Sequence, residues 1–309
     1  MPKNEIKVGP PGSGKSKQEE FAVVTEYEDG RPYAVVHLDS KRDGPFEMAS
    51  QLVAGGLERF VEYEPLAATD GKCLAWDWLP ESTLSDPIQK AAEEELIREE
   101  HGQIWAGQKG IVSYESAPYT REAMHLAIDT MQAQQPRKAL PWMKNVLLPA
   151  TAEWLILLQD CQKQSVRERL QASARMWSRS PTFYEQWAGS ARRMLDPLDS
   201  PVVQARCNPE PGKEFNWYQA FKDRKYIGVS GAGVARPTYR TVALAMILQA
   251  IHCCRRHHAQ FREELPVLVI LEEAGANRLV VPFVQTAMQE GRASGIGFHI
   301  LTQSLQDLG

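Results

Sequence analysis

The residues Val8-Gly9-Pro10-Pro11-Gly12-Ser13-Gly14-Lys15-Ser16 constrain this chain more than any other stretch. They read as a short strand, a loop of the form G-x-x-x-x-G-K-[ST], and the start of a helix. Glycines let such a loop curl until successive backbone N–H groups point inward at phosphate oxygens. The helix that follows adds its unsatisfied amides and the positive end of its dipole. Gly9, Pro10, Pro11, Gly12, Ser13 and Gly14 would form the cradle, with Lys15 reaching the β- and γ-phosphates and the Ser16 hydroxyl taking a Mg²⁺ coordination position. A strand–loop–helix of this kind belongs in an α/β fold with a mostly parallel sheet.

Bulk properties narrow the class. The chain has 309 residues, 43% of them hydrophobic and 24% charged, enough for one large domain or a core carrying a second. No apolar run reaches the roughly eighteen residues of a membrane span, and no signal-peptide pattern opens the chain. Five cysteines without framework spacing suggest a reducing compartment. A net charge of −4 does not advertise a nucleic-acid binder, although a local basic surface can sit on an acidic protein.

In chain order, Glu5–Val8 is the first strand, and a helix from Lys15 to about Glu28 follows, with Phe21, Val24 and Tyr27 spaced for one apolar face. Tyr33–Leu38 has the length and composition of a buried parallel strand, and it ends in Asp39-Ser40-Lys41-Arg42-Asp43. Open α/β sheets bind ligands at such carboxyl ends, so this polar stretch is a candidate beside the phosphate loop, the alternative being a solvated turn. A second helix is expected over 46–60, and a short strand over 61–63. From about 80 to 207 the pattern turns helical, with segments at 86–101, 120–135, 150–164, 165–179 and 182–195. The first is acid-rich. The last two interleave Arg167, Arg169, Arg175, Arg179, Arg192 and Arg193 with Trp177, Phe183, Tyr184 and Trp187. That mixture suits a nucleic-acid strand, and equally a helix pair that buries aromatics and solvates arginines.

Sheet character returns with Tyr226–Ser230, then a long helix from Thr238 to about His258. His252, Cys253, Cys254, His257 and His258 lie in that helix, but no second ligand pair stands elsewhere at structural-zinc spacing, so a non-metal role is preferred. Val267–Leu271 is an apolar strand that delivers Glu272 and Glu273 to the sheet's carboxyl edge. Paired with the Lys15 loop, the first acid suits Mg²⁺, held through water, and the second an attacking water. A helix over 279–290 precedes Gly291-Arg292, and the strand Ile296–Leu301 ends in Thr302-Gln303. Gln303 could orient water or sense the γ-phosphate. Arg292 could stay on its own surface or act as an arginine finger toward a neighbour.

Leu271-Glu272-Glu273-Ala274, Gln289-Glu290-Gly291-Arg292 and Gly295-Ile296-Gly297-Phe298-His299-Ile300-Leu301-Thr302-Gln303-Ser304 together resemble the HerA/FtsK superfamily of DNA-pumping ATPases. Asp39-Ser40-Lys41-Arg42-Asp43 is similar to the D-x-K-G-D/E loop of its type IV coupling proteins, with Arg42 in the place of the glycine. The resemblance covers about 1–66 and 215–309. It implies an α/β RecA-like P-loop core with an inserted all-α domain: 1–79 as the first part of the core, 80–207 as the insertion, 208–309 as the second part. It further implies ATP and Mg²⁺ as cofactors, DNA as a partner, and a hexameric ring with sites at subunit interfaces. Carried over by position, Lys15 and Ser16 bind phosphate and metal, Asp39 and Lys41 belong to the nucleotide site, Glu272 helps hold Mg²⁺, Glu273 is the general base, Gln303 the sensor and Arg292 the trans-acting arginine. Coupling proteins commonly have an N-terminal membrane anchor and further strands after the Gln; neither is expected within these residues, which leaves a truncated, a divergent and an excised motor as alternatives. The expected location is cytoplasmic, with attachment to a membrane complex left open. The competing reading is a nucleotide-switched ATPase that is not a motor and whose helical insertion binds a protein partner. A small-molecule kinase fits the Glu272, Glu273 and Gln303 set less well.

Overall fold

Apolar runs such as Val267–Leu271 form the central strands of this protein, while the outer strands Glu5–Val8 and Val61–Pro65 alternate apolar with charged residues. The computed structural model describes residues 2–10, 12–30, 33–40, 44–69, 73–79, 85–106, 117–273, 288 and 294–303. By packing these fall into two compact units, 1–74 with 215–309, and 75–214.

The first unit is built on six strands: β1 (Glu5–Val8), β2 (Ala34–Asp39), β3 (Val61–Pro65), β4 (Tyr226–Ser230), β5 (Val267–Leu271) and β6 (Ile296–Thr302). They form one sheet in the order β1-β6-β5-β2-β4-β3, and every described pairing is parallel. Strands β2, β4 and β5 are buried along their whole length, as expected of a sheet covered on both faces. Helices α1 (Lys15–Glu28) and α2 (Gly44–Ala54) supply Val23, Tyr27, Met48 and Leu52 to a core shared with Val35, Leu268 and Ile270. The order has a functional consequence. All the strands run the same way, so the carboxyl ends of β1, β6, β5 and β2 lie side by side along one edge of the sheet.

Two expectations need correction. In α1 the buried residues are Glu19, Glu20, Val23 and Tyr27, whereas Phe21 is 75% exposed. An apolar-only periodicity misplaces this face because two carboxylates are buried in it with hydrogen-bonding partners: Glu19 with Lys7 and His299, Glu20 with Lys17. Helix α2 stops at Ala54, short of residue 60. Gly55 and Gly56 end it, the latter at φ 76°, and a 3₁₀ turn over Glu58–Phe60 leads into β3. The helix expected over 279–290 lies outside the described residues, Met288 apart.

The described elements of the second unit are helical: α3 (Pro87–Ala106), α4 (Pro118–Gln132), α5 (Met143–Val146), α6 (Ala152–Asp160), α7 (Gln164–Arg179), α8 (Pro181–Met194) and α9 (Pro201–Cys207). Its core holds α4 against α3, α7 and α8, with Leu126, Ile128, Leu170, Tyr184 and Trp187 buried. Trp76, Trp78 and Trp105 stack at ring separations of 5.4 and 6.1 Å. The Arg206 carbonyl accepts from both Trp76 N–H and the Trp78 indole, tying the 73–79 segment to α9. Back in the first unit, α10 (Trp217–Lys222) precedes β4, and α11 (Arg236–Phe261) packs against β5 and β6. No described helix is long and apolar enough to cross a membrane.

Candidate functional site

Between β1 and α1 the backbone turns through Gly12 at φ 79° and Gly14 at φ 83°, the left-handed region that side chains disfavour. Gly9 is constrained differently, since a methyl there would sit 2.8 Å from Ser13 Oγ. Lys15 Nζ donates to the Gly9 carbonyl and, at 3.2 Å, to the Pro10 carbonyl and the Ser13 hydroxyl, so its ammonium lies against the loop it belongs to. The amino end of α1 opens into a cleft of about 320 Å³, and the first residue of α2, Gly44, lines the same cleft. Two helix dipoles therefore present their positive ends to one cavity.

Acids gather at the far side. The Ser16 hydroxyl donates to Glu272 Oε2 at 2.6 Å. The other carboxylate oxygen of Glu272 lies 2.7 Å from His37 Nε2, and Glu272 is itself buried. His37 Nδ1 is 2.8 Å from the Tyr226 hydroxyl, which donates to the Pro45 carbonyl at 3.1 Å. Burial pushes the Tyr226 phenol well above its ordinary value, and the Glu272 charge adds to this, so the hydroxyl keeps its proton. Tyr239 of α11 is raised in the same way, by burial first and then by Asp39 and Glu272. Asp39 ends β2 in the cleft wall, its carbonyl accepting from Gly231 N–H at 2.7 Å. A methyl on Gly44 would meet Glu272 Oε1 at 2.9 Å and Asp39 Oδ2 at 3.5 Å, which places both carboxylates around one point.

Glu273, the next residue, has φ 54°, an uncommon conformation for a glutamate, and it lines the same cleft as Glu272. Gln303, just beyond β6, donates from Nε2 to both Glu273 oxygens at 3.2 Å. At the cleft mouth, Lys17 bridges Glu20 at 2.8 Å and Glu47 at 2.7 Å, joining α1 to α2, and these partners raise its ammonium above the ordinary value.

The structure thus brings Gly12, Ser13, Gly14, Lys15, Ser16, Asp39, Glu272, Glu273 and Gln303 into one cleft, with Gly9 and Pro10 held against it through Lys15. Pro11, Lys41 and Arg292 lie outside the described residues. The donor set beside Ser16 is all oxygen, hydroxyl plus carboxylates, which fits a hard divalent cation such as Mg²⁺. A cleft of this volume, lined by the glycine loop, the amino end of α1 and a lysine, fits a polyphosphate. Sequence reasoning passed over His37, Tyr226 and Gly44. The available signal was one imidazole inside the otherwise apolar run Tyr33–Leu38. In α11, Cys253 and Cys254 are buried, and burial pushes the Cys253 thiol up to about 12, the contact with Gln249 offsetting only part of this. His257 is bonded to Tyr218 at 2.8 Å.

No protein-family model matches the sequence, and no curated protein matches it. Among solved structures the chain is similar to the bacterial conjugative coupling protein TrwBΔN70 in an unbound monoclinic form, at TM-score 0.63 and 12% identity over 98% of this chain. It is also similar to the plasmid coupling protein TrwB in complex with ADP and Mg²⁺, at TM-score 0.63 and 13% identity, covering 64% of that chain. A third likeness is to VirB4 of Thermoanaerobacter pseudethanolicus, at TM-score 0.55 and 13% identity, covering 70% of that chain. The chain spans 62% of the length of the first of these. With its parallel sheet, phosphate loop and helical unit, the chain has the RecA-like α/β fold seen in the conjugative coupling protein structures.

Proposed function

We propose that the protein is an ATP-hydrolysing motor that moves DNA, working as a ring with nucleotide held between subunits. The observation that carries this reading is the convergence of two pairs, Ser16 with Glu272 and Glu273 with Gln303, on the phosphate loop. Loop amides and Lys15 bind the β- and γ-phosphates. Ser16 and Glu272, with Asp39 beside them, hold Mg²⁺, which when bound neutralises charge on the phosphates. Glu273 takes the proton of the attacking water, and Gln303 orients that water and registers the γ-phosphate. Most of the catalytic gain in this chemistry comes from positioning and charge stabilisation. Pro11 and Lys41 are assigned to nucleotide binding from the sequence, and Arg292 to a neighbouring subunit's nucleotide. The ADP and Mg²⁺ bound to the solved coupling protein TrwB support the choice of cofactors. The protein works in the cytoplasm, against a membrane complex if it follows the coupling proteins in this too.

The test is ATP turnover with and without DNA. Lys15→Ala and Glu273→Gln are each expected to lose about 100-fold or more in rate. Wild-type turnover should rise with DNA, and DNA affinity should fall steeply with salt as counterions are released. Turnover indifferent to DNA, with no binding at low salt, favours the second reading: a nucleotide-switched ATPase whose helical unit binds a protein. One observation leans that way. Arg169 is engaged with Asp129 at 2.6 Å, Arg192 with Glu185, and Tyr184 and Trp187 are core residues, which leaves less of α7 and α8 for a nucleic-acid strand.

A further inference from the structure

A histidine in the middle of a buried strand needs a reason. His37 is fully buried between β5 and β4, in register with Ile270 on one side and Gly228 on the other. Burying an imidazole costs free energy unless its nitrogens are bonded, and an apolar residue would serve the core better. Both nitrogens are bonded, and both partners are fixed. Nε2 meets Glu272 Oε1 at 2.7 Å, and Nδ1 meets the Tyr226 hydroxyl at 2.8 Å. Tyr226 is anchored in turn by the Pro45 carbonyl at the start of α2. Gly228 makes this possible, because a methyl there would lie 2.8 Å from the Tyr226 ring and 3.0 Å from its hydroxyl. The missing side chain lets the phenol lie across β4 and reach its neighbour strand.

We infer that His37 is a positioning residue for Glu272, held by Tyr226, and that the pair sets the carboxylate's orientation toward Ser16 and the cation. The inference rests on the ATPase reading above. Glu272 has two oxygens with different tasks: Oε1 is committed to His37 at 2.7 Å, and Oε2 is turned to the Ser16 hydroxyl at 2.6 Å. His37 is thus one of the groups that fix which carboxylate oxygen faces Ser16, and losing it removes a constraint on rotation about the last side-chain bond. Partners of this kind behind a metal ligand set its geometry, and losing one typically costs about 10- to 100-fold in metal affinity or activity. The relay also ends on α2, so the helix that follows Asp39 and Lys41 is tied to the metal side of the cleft.

The experiment is Mg²⁺ titration of ATP turnover in the full chain, comparing wild type, His37→Phe, His37→Gln and Tyr226→Phe. His37→Phe keeps the ring volume and removes both nitrogens. Its half-saturating Mg²⁺ should rise about 10-fold or more, while ADP binding measured without Mg²⁺ stays at the wild-type value. His37→Gln retains a donor toward Glu272 and should recover to within about 3-fold of wild type, and Tyr226→Phe should fall between the two. A purely structural role would lower the melting temperature equally in Phe and Gln variants and leave the Mg²⁺ response alone; that result overturns the inference. If His37→Phe does not fold, an unchanged Mg²⁺ response in Tyr226→Phe overturns it as well. Turnover that depends on Lys15, with a wild-type Mg²⁺ response in the His37 variants, removes this inference only. Turnover independent of Lys15 removes the ATPase reading with it.

Discussion

Gly44 occupies a position where a side chain would press on Glu272. A methyl there would approach Glu272 Oε1 to 2.9 Å, and Glu272 cannot swing away cheaply because Ser16 and His37 hold its two oxygens. Gly44→Ala is therefore expected to lower Mg²⁺-dependent ATP turnover by about 10-fold or more, with a stability change under about 1 kcal/mol. Parallel denaturation and turnover measurements check it, and a wild-type rate would refute the crowding argument. At this scale the sequence was legible wherever a residue type is forced by its chemistry. Lys15, Ser16, Glu272, Glu273 and Gln303 were identifiable because the loop, the acidic strand end and the polar strand end each have a mechanical signature. His37 and Tyr226 were not, because their roles arise from pairing between strands 189 residues apart in sequence. Gly44 likewise reads as a turn residue until Glu272 is placed beside it.

Among the elements, α1 shows how burial of charge hides from a periodicity argument. Its Glu19 is almost wholly buried and accepts from Lys7 and from His299, each at 2.5 Å, linking α1 to β1 and β6. Burial alone pushes this carboxyl up, but the hydrogen bonds from His299 and Lys7 together outweigh it and leave it below its ordinary value of 4.5. The sign follows from linkage. A depressed carboxyl contributes stability above its unfolded value, and that contribution is lost as pH falls through the lower folded value. The denaturant midpoint should accordingly drop below about pH 4.5, and Glu19→Gln should flatten that acid limb while costing about 1–3 kcal/mol at neutral pH. An unaltered acid limb in Glu19→Gln would show that the network does not set it. The strands were the most legible elements: β1, β4 and β5 occupy the residues their apolar runs predict. Which face of α1 is buried, and where α2 stops, depended on ion pairs and on a glycine pair that apolar spacing does not register.

For the whole molecule, the helical unit is one continuous segment, 75–214, with its own tryptophan stack and its own buried centre on α4. A segment with an independent core is expected to fold alone. Expressed by itself, 75–214 should give a helical circular dichroism spectrum, a single cooperative melt and blue-shifted tryptophan emission from Trp76, Trp78 and Trp105. A broad, non-cooperative melt would count against its independence. Individual helices here were readable from their caps and proline punctuation, but their packing partners were not, since an aromatic such as Trp187 looks the same in a sequence whether it stacks on a ligand or fills a core.

The sheet order carries one more consequence. In it β1 sits at the end of the row, and among the described residues its only strand neighbour is β6. Four register pairs join the two strands, and Gly9 N–H continues the run to the Thr302 carbonyl at 3.2 Å. Gly9 begins the phosphate loop, and Thr302 immediately precedes Gln303. The two sides of the cleft, the loop that starts at Gly9 and the Gln303 that touches Glu273, are thus hung on a common hinge pin. On the proposed ATPase reading, a displacement of the end of β6 would reach Gly9 through that one hydrogen bond, so the position of the glutamine and the start of the loop would shift together.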